Sequence, residues 1–131
     1  MIRVDVARLV VNEQSGEHLL TLQERGGPRS LSILIGAFEV AAIEEALEDQ
    51  PAPRPLTHEL ILNTLTVLES ELRYVIIDEV VGEVFHAKLV IGGALGEQNV
   101  DARPSDAVAV ALRGDVTIFA SERVLRVAGE G

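Results

Sequence analysis

Leu72-Arg73-Tyr74-Val75-Ile76-Ile77-Asp78-Glu79-Val80-Val81 and Val84-Phe85-His86-Ala87-Lys88-Leu89-Val90-Ile91 read as two long strands. Gly82-Glu83 joins them in a tight turn. In the second strand Phe85, Ala87, Leu89 and Ile91 share one face, while His86 and Lys88 point the other way. A hairpin of this kind implies antiparallel pairing. Downstream, Gly92-Gly93 reads as a turn and Glu97 to Ala102 as a further strand.

Upstream of the hairpin, Thr57 is placed to cap a helix that ends near Ser70, with Leu60, Ile61, Thr64, Leu65 and Leu68 on one stripe. Pro51-Ala52-Pro53-Arg54-Pro55 before it is a rigid connector that cannot be helical. Another helical pattern opens at Gly36, where Val40, Ile43 and Leu47 recur at helical spacing. Val4 to Val11 and His18 to Gln23 form a hairpin turned at Ser15-Gly16, with Glu13, Glu17 and Glu24 on its solvated face. Leu31 to Ile35 fits a third strand after the break at Gly26-Gly27-Pro28. Pro104 suits a helix's first turn, and Ala107 to Leu112 is apolar almost all round, so this helix is buried, with Gly114 as its stop. Val116 to Ala120 and Ser121 to Val127 complete the chain as a short strand and a short helix. These elements predict an α+β (mixed α/β) single domain over residues 1–131, with a largely antiparallel sheet and three main helices.

With 131 residues the chain has room for one core, which must be built from Val, Leu, Ile and Ala because aromatics make up only 3%. The absence of cysteine excludes disulfides, Cys-ligated zinc and thiol catalysis. No apolar run is long enough to span a membrane, and the alternating start Met1-Ile2-Arg3-Val4-Asp5-Val6 is a strand and not a signal peptide, so a cytoplasmic protein is expected. The net charge of -10 weighs against nucleic-acid binding by bulk electrostatics. An acidic nuclease needs a local basic patch or divalent metals bridging carboxylate to phosphate.

Polar residues concentrate in three stretches, each at a predicted helix start: Ile35-Gly36-Ala37-Phe38-Glu39, Arg54-Pro55-Leu56-Thr57-His58-Glu59, and Asp101-Ala102-Arg103-Pro104-Ser105-Asp106. Singly, each residue has a plain structural use. Thr57 and Ser105 serve as caps, Glu59 and Asp106 favour the helix dipole, and Arg54 and Arg103 pair with acidic neighbours. Together they offer chemistry if the three helix starts converge. Glu39, Asp101 and Asp106 then hold Mg²⁺ or Mn²⁺. Arg54, Thr57, Arg103 and Ser105 grip a phosphodiester, and His58, Glu59 or Asp106 moves the proton.

Ile35-Gly36 with Glu39 and Ile43, Arg54-Pro55-Leu56-Thr57-His58-Glu59-Leu60, and Val100-Asp101-Ala102-Arg103-Pro104-Ser105-Asp106-Ala107 resemble, in order and spacing, the signature blocks of the bifunctional nuclease domain family. The resemblance runs from about Val4 to about Val124. It implies a nuclease acting on both DNA and RNA, and a wedge-shaped homodimer with a large groove. Glu39, Arg54, Thr57, His58, Asp101, Arg103, Ser105 and Asp106 match the family positions. Glu59 stands where aspartate is common, and Val40 where alanine is common.

The expected function is therefore metal-assisted hydrolysis of RNA or DNA phosphodiester bonds. The alternative is a non-catalytic binding or regulatory module, whose polar signature binds a small anion or a protein partner. In a third, purely structural reading, Arg54 and Arg103 are buried and locked to Asp101 and Asp106.

Overall fold

In the computed structural model, which describes residues 1–48 and 54–131, the long hairpin forms as expected: β4 (Glu71–Val81) pairs antiparallel with β5 (Val84–Gly93). Gly82, at φ 62°, takes the left-handed conformation of its turn. The strand runs through Gly92-Gly93, which is not the turn. The chain reverses just beyond, where Gly96 has φ 84°, and returns as β6 (Gly96–Ala102). Register shifts between Leu72 and Tyr74 and between Ile77 and Glu79 mark bulges that bend β4.

A second meander, β1 (Ile2–Val11), β2 (His18–Glu24) and β3 (Ser30–Ile35), is also antiparallel throughout. The short β7 (Thr117–Ala120) joins the two, pairing antiparallel with β1 and parallel with β4. The result is one seven-stranded sheet in the order β3-β2-β1-β7-β4-β5-β6.

Four helices are described: α1 (Ala37–Glu48), α2 (Thr57–Val67), α3 (Pro104–Gly114) and the short α4 (Glu122–Ala128). The count exceeds the three main helices expected because Ser121-to-Val127 is a formed helix. The Ser121 hydroxyl caps it by accepting the Val124 amide. The rigid connector falls largely on residues 49–53, outside the described residues.

The core explains the placement of α3. Ala107, Val108, Ala109, Val110 and Ala111 are all buried, as its all-round apolarity predicted. Their small side chains let α3 lie close to the sheet while α1 and α2 pack along it. Beneath are Val75, Ile77, Ala87 and Ile118 from β4, β5 and β7, with Leu20, Leu22 and Leu31 from the β1–β3 meander. On α1, Val40 and Ile43 are buried but Leu47 is exposed. The α2 stripe is rotated from the expected one: Ile61, Leu62 and Leu65 pack on the core, while Leu60 and Leu68 face out. Asp115, and not Gly114, takes the left-handed conformation that ends α3, at φ 55°.

Glu24 is not solvated as expected. It accepts two hydrogen bonds from the Arg29 guanidinium, which also forks onto Glu122 of α4. Hydrogen bonds from Arg29 hold both carboxyls below the usual glutamate range. A depressed folded-state value stabilises the fold above the unfolded value, ~4.3, and that stabilisation is lost as pH falls through the folded values. Thermal unfolding followed from neutral pH to pH ~3 should therefore show this network's contribution unchanged until below pH ~4.5 and then declining. Arg29→Ala should flatten part of that decline, whereas an identical acid profile in the variant would refute the linkage.

Candidate active site

The first turns of α1, α2 and α3 converge. Arg103 is extended, at φ -70° and ψ 146°, and Pro104 starts the helix without needing a hydrogen bond for its nitrogen. Asp106 thus lies in the first turn, where its Oδ2 accepts from Arg103 Nε at 2.9 Å. Its other oxygen, Oδ1, is 3.1 Å from Nε2 of His58, in the first turn of α2. From the first turn of α1, Glu39 Oε1 meets Arg103 Nη1 at 2.8 Å. Packing of both flanking helices on α3 brings these residues together from distant parts of the chain.

Phe38, Glu39, Thr57, His58, Arg103 and Asp106 border a cavity of about 430 Å³. Glu39 and Arg103 also border a neighbouring cavity of about 640 Å³, which reaches Ser105, the β3 edge and the tip of the β4–β5 hairpin. The two form a trough crossed by the Arg103–Glu39 pair.

Burial raises the Asp106 carboxyl, but hydrogen bonds from Arg103 and His58 outweigh it and hold the group below the usual aspartate range. An ionised Asp106 can only accept, so His58 Nε2 must donate. That fixes the tautomer and leaves Nδ1 with the lone pair. His58 is half-buried and well oriented, while the Arg103 side chain is 66% exposed. This exposure overturns the reading of Arg103 as a buried lock, although its carboxylate partners Glu39 and Asp106 are more sheltered, at 17% and 32% exposure. Arg54 is exposed as well, and the ion pairs found among the described residues do not include it.

Thr57 borders the cavity but caps nothing: α2 is preceded by the extended Leu56, with no side-chain cap. Ser105 likewise caps nothing; it is buried within α3 and borders the larger cavity. The cap expectations failed because Leu56 and Arg103 occupy the positions before the helices, and neither carries a capping oxygen. Glu59 turns toward Arg113, with 3.7 Å between Oε1 and Nε. Asp101 lies on β6 opposite Lys88 and borders neither cavity.

As arranged, these residues do not fit the expected Mg²⁺ or Mn²⁺. The Arg103 guanidinium lies between Glu39 and Asp106, where a shared cation would have to sit, and Asp101 is elsewhere. Among the described residues no group of three or more His, Asp or Glu side chains is arranged to hold a metal ion. Phe38 was not singled out from the sequence as a site residue. Its cue is an aromatic in the first turn of a helix, one position before Glu39 and off the Val40–Ile43 core stripe.

Comparison with known proteins agrees with the sequence blocks. The family model for the bifunctional nuclease domain matches residues 20–130. Two proteins of Mycobacterium tuberculosis, one from each of two strains and both named as uncharacterized, are 41% identical over 131 residues. The similarity covers 98% of this chain and 77% of each relative. No described helix is long and apolar enough to cross a membrane.

Proposed function

This chain belongs to the bifunctional nuclease domain family, and on that premise we propose that its trough cleaves phosphodiester bonds of RNA or DNA. The observation that carries this reading is the chain of contacts Arg103–Asp106–His58 on the wall of an open cavity. In the proposed reaction a substrate phosphate displaces Glu39 from the exposed Arg103 fork, which suits phosphate oxygens. His58 Nδ1 takes the proton of the attacking hydroxyl, from water or, in RNA, from the ribose 2′ position. The new oxygen–phosphorus bond forms as the bond to the leaving oxygen breaks, and the imidazolium returns the proton to that oxygen. Asp106 holds the ring and stabilises its positive charge in between, as an orienting carboxylate does in other histidine dyads.

No step is routed through a metal ion. We therefore expect calorimetric titration with Mn²⁺ to show no saturable binding at submillimolar concentration, and cleavage to persist in EDTA. Tight Mn²⁺ binding that Glu39→Gln abolishes would instead favour the metal-assisted route.

The deciding experiment follows hydrolysis of labelled single-stranded RNA and DNA by wild type, Arg103→Ala and Asp106→Ala. Wild type should cleave. Arg103→Ala should lose most activity while still unfolding cooperatively, with some loss of stability because Glu39 and Asp106, at 17% and 32% exposure, lose their guanidinium partner. Equal activity in all three would point to a contaminating enzyme and end the proposal. The net charge of -10 favours the second reading, a binding module without catalysis. Clean folding with no cleavage of either substrate would select it.

The homodimer implied by the family resemblance has a surface to use. No residue of α2 is fully buried, and Leu60, Val67 and Leu68 are exposed. Sedimentation equilibrium should show a dimer that Val67→Asp with Leu68→Asp converts to monomer; a monomeric wild type would remove this part of the reading.

A further inference from the structure

Phe38 is 92% exposed, more than any other large hydrophobic residue described. The fold does not need it there. The same helix buries Val40 and Ile43, and the other aromatics are used: Tyr74 and Phe119 meet edge to face at 5.3 Å, and Phe85 packs against the core. A lone exposed aromatic is unremarkable on a random surface. This one borders the cavity that holds His58, Arg103 and Asp106.

The charge balance gives the position meaning. In a chain of net charge -10, Arg103 is the only Lys or Arg among the described residues bordering that cavity, which Glu39, Glu45 and Asp106 also border. One phosphate contact on a single strand changes affinity with salt by a slope of only about -0.7, so counterion release contributes little to binding. Affinity for nucleic acid at this site needs a source that does not depend on charge. Aromatic stacking supplies one, because every base has a π face.

We propose that Phe38 is a stacking platform for one base of a single-stranded nucleic acid, set beside Arg103, His58 and Asp106 so that the phosphodiester next to that base is the one presented to them. Duplexes keep their bases stacked on one another and cannot use it without unstacking. The proposal rests on the reading of the trough as a nucleic-acid site and specifies its substrate as single-stranded.

The chain contains no tryptophan, so Phe38→Trp introduces a unique fluorophore at the site. Its emission is followed on titration with a short phosphorothioate oligo(dT), an abasic oligonucleotide of equal length, and a duplex. Quenching by oligo(dT) alone is expected. Phe38→Ala should weaken oligo(dT) binding at least roughly fivefold while leaving the weak abasic binding unchanged, and Phe38→Trp should restore it. If wild type binds oligo(dT) and Phe38→Ala binds it equally well, the platform is refuted and the nucleic-acid reading stands. Should wild type bind no oligonucleotide at all, both fall. Loss of self-association in Phe38→Ala by sedimentation, with oligo(dT) affinity unchanged, would assign the residue to a protein contact and overturn the proposal.

Discussion

Replacing His58 with alanine should lower kcat for single-stranded RNA or DNA about 10²- to 10⁴-fold, the range expected when a positioned general acid–base is removed. Stability should change little by comparison. The ring donates one hydrogen bond, to Asp106, and a bond of this kind contributes ~1 kcal/mol net. Asp106 keeps its Arg103 partner in the variant, so its charge is not stranded. Asp106→Asn provides the matching test of orientation. The amide can present its NH₂ group to His58 and select the other tautomer, so kcat should fall while KM, set by Arg103 and the trough, moves less. Steady-state kinetics and thermal unfolding on the same preparations check both expectations. A His58→Ala enzyme with wild-type kcat would remove the histidine from the chemistry.

The largest effect on stability is expected from Ile77→Ala. Ile77 has no exposed surface and lies in β4 opposite Ala87 of β5 and Ala120 of β7, both small and fully buried. Its backbone carbonyl also accepts the Ser121 amide, which fixes the start of α4. The alanine neighbours cannot expand into the space left behind, so the cost should be ~2–5 kcal/mol. For a domain of this size that lowers Tm by roughly 6–20 °C. Differential scanning calorimetry measures it, and a shift of less than about 3 °C would show that the sheet centre repacks freely.

The same central region shows what could be read from the sequence. The β4–β5 hairpin was legible because Gly82 fixes the turn and the alternation around it fixes the register. Burial of α3 was legible from an apolar run with no polar face. The position of β7 was not, because its partners β1 and β4 are remote in the chain and one of the two pairings is parallel. Nor was the rotated face of α2 legible: Leu60 and Leu68 are as apolar as Leu62 and Leu65, and only packing against α3 and β4 distinguishes them.

For the site, residue types gave three polar helix starts, and packing on α3 turns two of the three stretches' charged groups toward the third. Glu39, His58 and Asp106 lie in the first turns of α1, α2 and α3, and Arg103 immediately precedes α3, so packing of α1 and α2 on α3 brings the four together. Asp101 sits before the helix, on β6, where its strand register sets it opposite Lys88. Glu59 follows His58 directly, so the helix turns it about 100° away, toward Arg113. Sequence spacing alone could not separate these from their neighbours, since adjacent residues of one polar block diverge once the helix forms.

The central claim is that Asp106 holds His58 in one tautomer at the wall of a cavity that receives nucleic acid. The chain has three histidines, His18, His58 and His86, so ¹⁵N spectra of the imidazoles can be assigned by single substitution. Neutral His58 should carry its proton on Nε2, and a phosphorothioate oligonucleotide should shift its ring signals while leaving those of His18 and His86 in place. A His58 ring protonated on Nδ1, or one whose signals do not move at saturating oligonucleotide, would contradict it.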